Sequence, residues 1–376
     1  MRFIMLENNS KPKLCYIAPS YAHDDATHFS HLYDFIREIS KQFDIFLIIE
    51  KGEQPKEKFG CTRVKVLWFR LLPLRWCELH CRLLKARFLG YSRAYVHYSF
   101  LAAVASSIVM RPFGGTVWYW NCGEPWKYKR GEIRDWFERL AYEAVSFLVT
   151  GTEGLAKKYS EVYGISREKI NIMPNWVSLA RFTPDGGAFQ LKIQLGISTD
   201  AKVVLFVHRL SQRKGAQYLS EIAESLKDEN AVLVVAGDGP ERESVKLKMK
   251  SLKLEGKVRF VGAVPNHQMP LYYSMADVLI IPSDEEGFPR VMLEAAAMGV
   301  PFAAFAVGGI AEVIPAEYKR YIAPSGDVAV FNTIVRELFE LSSDEKERLS
   351  QELKNWVKQF DVSKVANRFL EIILKS

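Results

Sequence analysis

Short, continuously apolar runs alternate with helix-length amphipathic stretches along nearly the whole of this 376-residue chain, and that alternation restricts its fold more than any other feature. In the first half the runs lie at 13–18, 44–49, 64–69, 95–98, 116–120 and 147–150, with helical patterns such as 28–41 and 133–144 between them. In the second half they are VVLFV (203–207), AVLVVA (231–236), VRFVG (258–262), DVLII (277–281) and PFAAFAV (301–307), separated by segments at 215–227, 240–253 and 289–298. A strand that is apolar throughout is buried on both faces, the condition of a parallel sheet covered by crossover helices. The pattern therefore predicts an α/β protein with two doubly wound, Rossmann-like domains. Turn residues Pro174, Asn175, Pro184, Gly186 and Gly187 cluster between the halves, so the domains are predicted at 1–180 and 181–360. The tail from 344 to 376 reads as helices with a turn near 360–363.

Charge is unevenly placed. Residues 1–185 hold 27 Lys+Arg against 19 Asp+Glu, and the remainder holds 24 against 25. Residues 61–111 alone carry nine basic residues and one acid, Glu78. There Arg63, Lys65, Arg70, Arg75, Arg82, Lys85, Arg87 and Arg93 are interleaved with Trp68, Phe69, Leu71, Leu72, Leu74, Trp76, Leu83, Leu84 and Phe88. This mixture suits a segment that meets an anionic membrane surface; a buried helix with a charged outer face is the other reading. No nucleic-acid motif accompanies the charge, so no nucleic-acid partner is expected. The N-terminus turns polar after six residues, no run is apolar enough to span a bilayer, and five scattered cysteines fit a reducing compartment. The expected location is cytoplasmic, peripheral on the cytoplasmic membrane face.

In open parallel sheets ligands gather beyond the carboxyl ends of the strands, and the unusual residues of the second half fall there repeatedly. His208, Arg209, Arg213, Lys214 and Gly215 follow one strand run, Gly237-Asp238-Gly239-Pro240 the next, Ser283-Asp284-Glu285-Glu286-Gly287 a third, and Gly308-Gly309 a fourth. Pro289 and Gly299 punctuate a helix over 289–298 whose inner residues are apolar except Arg290 and Glu294. A carboxylate among such residues needs partners if it is buried, and ligand hydroxyls would supply them; a narrow exposed stripe of the helix is the other reading. Two cations at a strand end are what a departing diphosphate requires as charge develops on it.

The strings HRLSQRKG, GDGPE, EEGFPRVMLEAAAMGVP and VGGIAEVI, with NIMPNWVSLARFTP (171–184) ahead of them, resemble the GT-B retaining glycosyltransferases of family four. The resemblance implies a GT-B fold, two Rossmann-like domains facing a central cleft, with the C-terminal helix (361–376) crossing back to the first domain. It implies a nucleotide-diphospho-sugar donor: Arg209 and Lys214 on the diphosphate, Glu294 on the ribose, and Glu286 with the amides of Gly287, Phe288 and Arg290 at the transferred sugar or its phosphate. Gly237, Val264 and Asn266 are implied as further donor residues, the last two at the base. Asp24 and Asp25 stand where the family has a Gly-Gly loop, and Asn121 stands in place of its histidine; both are assigned to the acceptor and sugar side. No Asp-x-Asp occurs, and Cys77, His80 and Cys81 lack a fourth ligand, so no metal and no cofactor are expected. The expected activity is transfer of a hexose of mannose or glucose type to an acceptor hydroxyl on a glycan or lipid-linked precursor. A nucleotide-sugar 2-epimerase and a non-catalytic nucleotide-sugar binder are the rivals. His97 and the aromatic residues Trp118, Tyr119, Trp120, Trp126 and Tyr128 are open to two readings, sugar contact or packing.

Overall fold

A computed structural model describes residues 11–23, 29–127, 131–184 and 186–375 of the chain. Asp24, Asp25 and Tyr128 lie outside the described residues. The first sheet comprises β1 (Lys13–Ala18), β2 (Asp44–Ile49), β3 (Arg63–Val66), β4 (Arg93–His97), β5 (Thr116–Trp120), β6 (Phe147–Thr150) and β7 (Ile170–Ile172). The second comprises β8 (Lys202–Val207), β9 (Ala231–Ala236), β10 (Val258–Gly262), β11 (Val278–Ile281), β12 (Phe302–Phe305) and β13 (Ile322–Ala323). The orders are β3-β2-β1-β4-β5-β6-β7 and β10-β9-β8-β11-β12-β13, and the pairings at the centre of each sheet are parallel. Each sheet thus reverses its winding beside its first strand, between β1 and β4 and between β8 and β11, which opens a crevice at the carboxyl ends there.

The apolar runs explain why these strands occupy the centre: all six residues of β9 are buried, and so are the last five of both β1 and β2. The predicted run 64–69 ends early as a strand. After Leu67, whose N–H still donates to Ile49 O at 2.9 Å, the backbone leaves the sheet. Predicted helix 215–227 forms as a 3-10 turn, Ala216–Tyr218, continued by helix Leu219–Ser225.

The two sheets are joined by residues 173–201, and the chain returns across this join once. Val177 N–H donates to Phe360 O at 3.0 Å and Val362 N–H donates to Val177 O at 2.9 Å. The terminal helix Val362–Lys375 then lies on the first domain. Its Phe369 ring meets Phe35, on helix Ser30–Ile39, at 5.4 Å and Tyr95 of β4 at 4.8 Å, both edge to face. The apolar burial of Val365, Ala366, Phe369 and Ile373 fixes the domains relative to each other from the far side of the join.

Candidate functional site

The carboxyl ends of both sheets border one cleft of about 800 Å³. Arg209, Lys214, Gly237, Val264, Asn266, Glu286, Gly287, Phe288, Arg290 and Glu294 all line it, together with Phe29, His31, Tyr98, Cys122 and Gly123 from the first domain. The structure therefore brings together the ten second-domain residues that the resemblance assigns to the donor.

Lys214 closes a 3-10 turn after β8, Gln212–Lys214, which ends at Gly215 with φ +77°. A Cβ at Gly215 would stand 1.8 Å from Pro282 O, so only glycine permits this turn to pack on the end of β11. The packing delivers the Lys214 ammonium to the loop after β11: Nζ lies 2.7 Å from Glu286 Oε1 and donates to Glu285 O at 3.2 Å. Glu286 is buried, and its Oε1 also lies 3.1 Å from His208 Nε2 and accepts from Ser283 Oγ at 2.8 Å. Burial alone would raise its pKa, but Lys214 and the hydrogen-bonding His208 outweigh burial and hold the carboxyl well below its ordinary value. It is an ionised group in the cleft wall at neutral pH. As a site residue Glu286 is not expected to be part of the core; its burial is a correction, and it makes the ion pair a structural element as well as a functional one.

Arg213 forks onto Glu285 with bonds of 3.1 and 2.9 Å, and Gln217 and Tyr218 hold Asp284 at 2.6 and 2.9 Å. The acidic run 284–286 is thus tied to the turn after β8 residue by residue. Arg209, in contrast, is exposed and makes no ion pair among the described residues, which leaves its guanidinium available to an anion in the cleft.

Helix Arg290–Met298 starts beyond Pro289 and ends at Gly299. One turn apart on it, Arg290 Nη2 donates to Glu294 Oε1 at 3.1 Å, while Tyr273 OH donates to Glu294 Oε2 at 2.9 Å. Both charged groups are largely removed from water. Burial lowers the Arg290 pKa and Glu294 counters it. Phe288 turns its ring onto Phe360, at 5.4 Å, and its carbonyl accepts from Asn175 Nδ2 at 2.6 Å. Asn266 is held by Arg181, which also pairs with Asp34 of the first domain at 2.6 Å.

Asn121 departs from the sequence expectation. Its amide faces the interior, with Oδ1 accepting from Gly123 N–H at 3.1 Å and Nδ2 donating to Tyr142 OH at 2.9 Å. It shapes the wall formed by Cys122 and Gly123 instead of reaching into the cleft. Trp118, Tyr119 and Trp120 are core residues, and His97 is buried in a stack on Trp120 at 5.5 Å. Trp126 packs edge to face on Tyr159 at 5.1 Å. Missed by the sequence were Ser283 and Tyr273 as carboxylate partners, His208 as a second side chain against Glu286 Oε1, and Tyr98. Tyr98 takes a left-handed backbone, φ +59°, where β4 meets the cleft. A bulky residue held there is a strained position of the kind that clusters at binding sites.

The glycosyl transferases group 1 family matches residues 189–356. TuaC of Bacillus subtilis strain 168, assigned by name to teichuronic acid biosynthesis as a glycosyltransferase, is 28% identical over 314 residues, covering 80% of this chain and 77% of that protein. A D-inositol 3-phosphate glycosyltransferase of Kineococcus radiotolerans is 33% identical over 184 residues, 46% of this chain and 42% of the relative. Among solved structures, Anabaena Alr3699/HepE in complex with UDP and glucose superposes with a TM-score of 0.80 at 17% identity, over 97% of this chain and 100% of that one. At that identity the likeness establishes the fold.

Proposed function

We propose, from the match of residues 189–356 to the glycosyl transferases group 1 family and from the GT-B fold, that this chain is a retaining hexosyltransferase. It moves a sugar of mannose or glucose type from a nucleotide-diphospho-sugar to an acceptor hydroxyl on a glycan or lipid-linked precursor. The observation that carries this reading is the pairing of an uncommitted Arg209 with Lys214, 2.7 Å from Glu286, on one wall of the cleft. When the anomeric carbon–oxygen bond breaks, negative charge appears on the departing diphosphate, and preorganised cations stabilise it there more than in the bound donor. The acceptor oxygen bonds to the anomeric carbon on the face the diphosphate leaves, and the acceptor proton passes to a phosphate oxygen of the leaving group.

In this reading no side chain serves as covalent nucleophile. Burial pushes the Cys122 thiol up to about 12, so it stays protonated at neutral pH. The Glu286 oxygen nearest the cations is already shared by Lys214, His208 and Ser283. Arg209 and Lys214 take the electrostatic part, and the reading calls on no resident metal. Teichuronic acid biosynthesis, to which TuaC is assigned by name, supports a polysaccharide-precursor acceptor.

The test is a thermal-shift screen with GDP, UDP and ADP, followed by reaction of the matching nucleotide sugars with and without acceptor. Transfer with the anomeric configuration kept is the expected result. Conversion of the sugar without acceptor would make the protein an epimerase, and binding without turnover would make it a binder.

Glu294 on the ribose acts alike in ground and transition states, so Glu294→Gln is expected to raise the donor KM about tenfold with kcat nearly unchanged. Glu294→Ala differs because it leaves the buried Arg290 and Tyr273 donors with no side-chain acceptor at all, whereas Gln keeps an amide oxygen between them. It is expected to cost about 3 kcal/mol of stability in addition, visible as a lower Tm. A collapsed kcat at unchanged KM in Glu294→Gln would remove the ribose role.

A further inference from the structure

Helix Leu72–Phe88 is apolar on two sides. Glu78, Leu79, Leu83 and Ala86 face the first domain and are buried. Leu74, Cys77, Cys81, Leu84 and Phe88, spaced three and four residues apart, form a second stripe that is exposed along the whole helix. An ordinary surface helix carries polar residues on that side. The loop before it continues the stripe: Trp68 is 85% exposed, Leu71 68%, and Phe88 at the far end 88%.

This loop is built to stand out from the domain. Glu78 Oε2 accepts from the N–H groups of Trp68 and Phe69 at 2.7 and 3.2 Å, and Glu78 Oε1 accepts from Arg82 Nη2 at 3.1 Å. The only acid in residues 61–111 is thereby turned inward and neutralised, while Arg63, Lys65, Arg70 and Lys85 remain exposed. Within residues 61–111 the face is thus a hydrophobic stripe accompanied by exposed basic residues and no exposed acid.

We propose that the loop and outer stripe of helix Leu72–Phe88 form a docking face for an anionic lipid bilayer, with Trp68, Leu71 and Phe88 entering the headgroup region and the surrounding basic residues meeting lipid phosphates. Charge complementarity selects this occupant, because bulky apolar side chains accompanied by exposed cations match an interface that is apolar below and anionic above. The face also has a fixed relation to the cleft. Trp68 follows the carboxyl end of β3, and Tyr98 and Cys122 follow those of β4 and β5. In a parallel sheet these ends share one edge, so docking brings the first-domain side of the cleft toward the membrane. That orientation rests on the transferase reading; docking itself does not.

Sedimentation with vesicles of phosphatidylglycerol and phosphatidylcholine, against phosphatidylcholine alone, at low and high salt, tests the proposal. The full chain is expected in the pellet with anionic vesicles, less so at high salt, and in the supernatant with neutral ones. The variant W68S/L71S/F88S, whose positions are exposed, is expected to melt and bind donor nucleotide like the wild type while its partition coefficient falls about tenfold or more. Wild type that stays in the supernatant with anionic vesicles overturns docking, as does a triple variant that binds unchanged. A self-associated wild type that ignores vesicles and is made monomeric by the substitutions overturns it too, and gives the face to a second copy of the chain. Loss of transfer activity with vesicle binding intact would instead strike only the transferase reading.

Discussion

Lys214→Ala is expected to lower turnover by about 10²-fold or more, since removal of one preorganised electrostatic group from a reacting centre typically has that effect. The ion pair adds a second signature. In the wild type Lys214 and His208 keep the pKa of buried Glu286 below its unfolded value, against the upward pull of burial. A depressed folded pKa contributes stability that is fully present above the unfolded value of about 4.3 and is lost as pH falls from there through the folded value. Without Lys214 the depression shrinks, so the stabilisation at neutral pH falls by about 3 kcal/mol. The remaining loss on acidification still begins near the unfolded value but ends at higher pH. Paired measurements of kcat and of Tm from pH 7 downward check both parts. Wild-type turnover in Lys214→Ala removes the diphosphate assignment, whereas an unchanged acid limb of the Tm profile removes the electrostatic account of Glu286. Lys214→Arg keeps the charge and separates the two, with stability expected to recover further than turnover, because a planar guanidinium does not place its charge where the ammonium stood.

The sequence makes the centre of each sheet legible and leaves the margins obscure, for a physical reason. β1, β2, β8 and β9 are buried on both faces and so spell out continuous apolar runs. β7 and β13, three and two residues long, contribute too few side chains to any core to leave a run, and neither is predicted. The site divides in the same way. Glu286 and Glu294 stand out through their spacing around a well-punctuated helix, and Arg209 and Lys214 through a basic cluster at a strand end. Their partners do not, because Ser283, Tyr273 and His208 acquire roles only when β8 and β11 pair across the sheet. Asn121 shows the converse error: the sequence gives its position at the end of β5, while the direction of its amide depends on Tyr142, 21 residues away. For residues 61–111 composition reveals the mixture of bulky and basic groups, but both sides of the helix are apolar. Only packing decides which side faces water, with Glu78 turned inward.

Gly287→Ala is expected to abolish most turnover while leaving each domain folded. The reason lies in the seam between the domains, where a Cβ on Gly287 would stand 1.6 Å from the backbone oxygen of Cys122. That atom belongs to the backbone just after β5 and cannot rotate away as a flexible side chain could, so the domains must separate to admit one methyl group. Other contacts at the seam would open with it. Gly309 faces Thr152 closely enough that a Cβ would lie 2.6 Å from its methyl carbon. Glu312 reaches across to accept from Glu153 and Gly154 N–H, each at 2.9 Å, at the start of helix Glu153–Tyr163. A displacement of the seam by about 1 Å misplaces the donor wall against the first-domain wall, and misplacement on that scale costs about 10²-fold in rate. Nucleotide binding, which rests mainly on second-domain residues in the proposed function, is expected to fall far less. Calorimetry with the free nucleotide, kcat with a full donor–acceptor pair, and small-angle scattering for the separation of the domains together decide it. Near-wild-type kcat with an unchanged scattering profile would show that the seam does not govern the reaction. A protein that loses nucleotide binding as completely as turnover would place the damage in the loop after β11 and not between the domains.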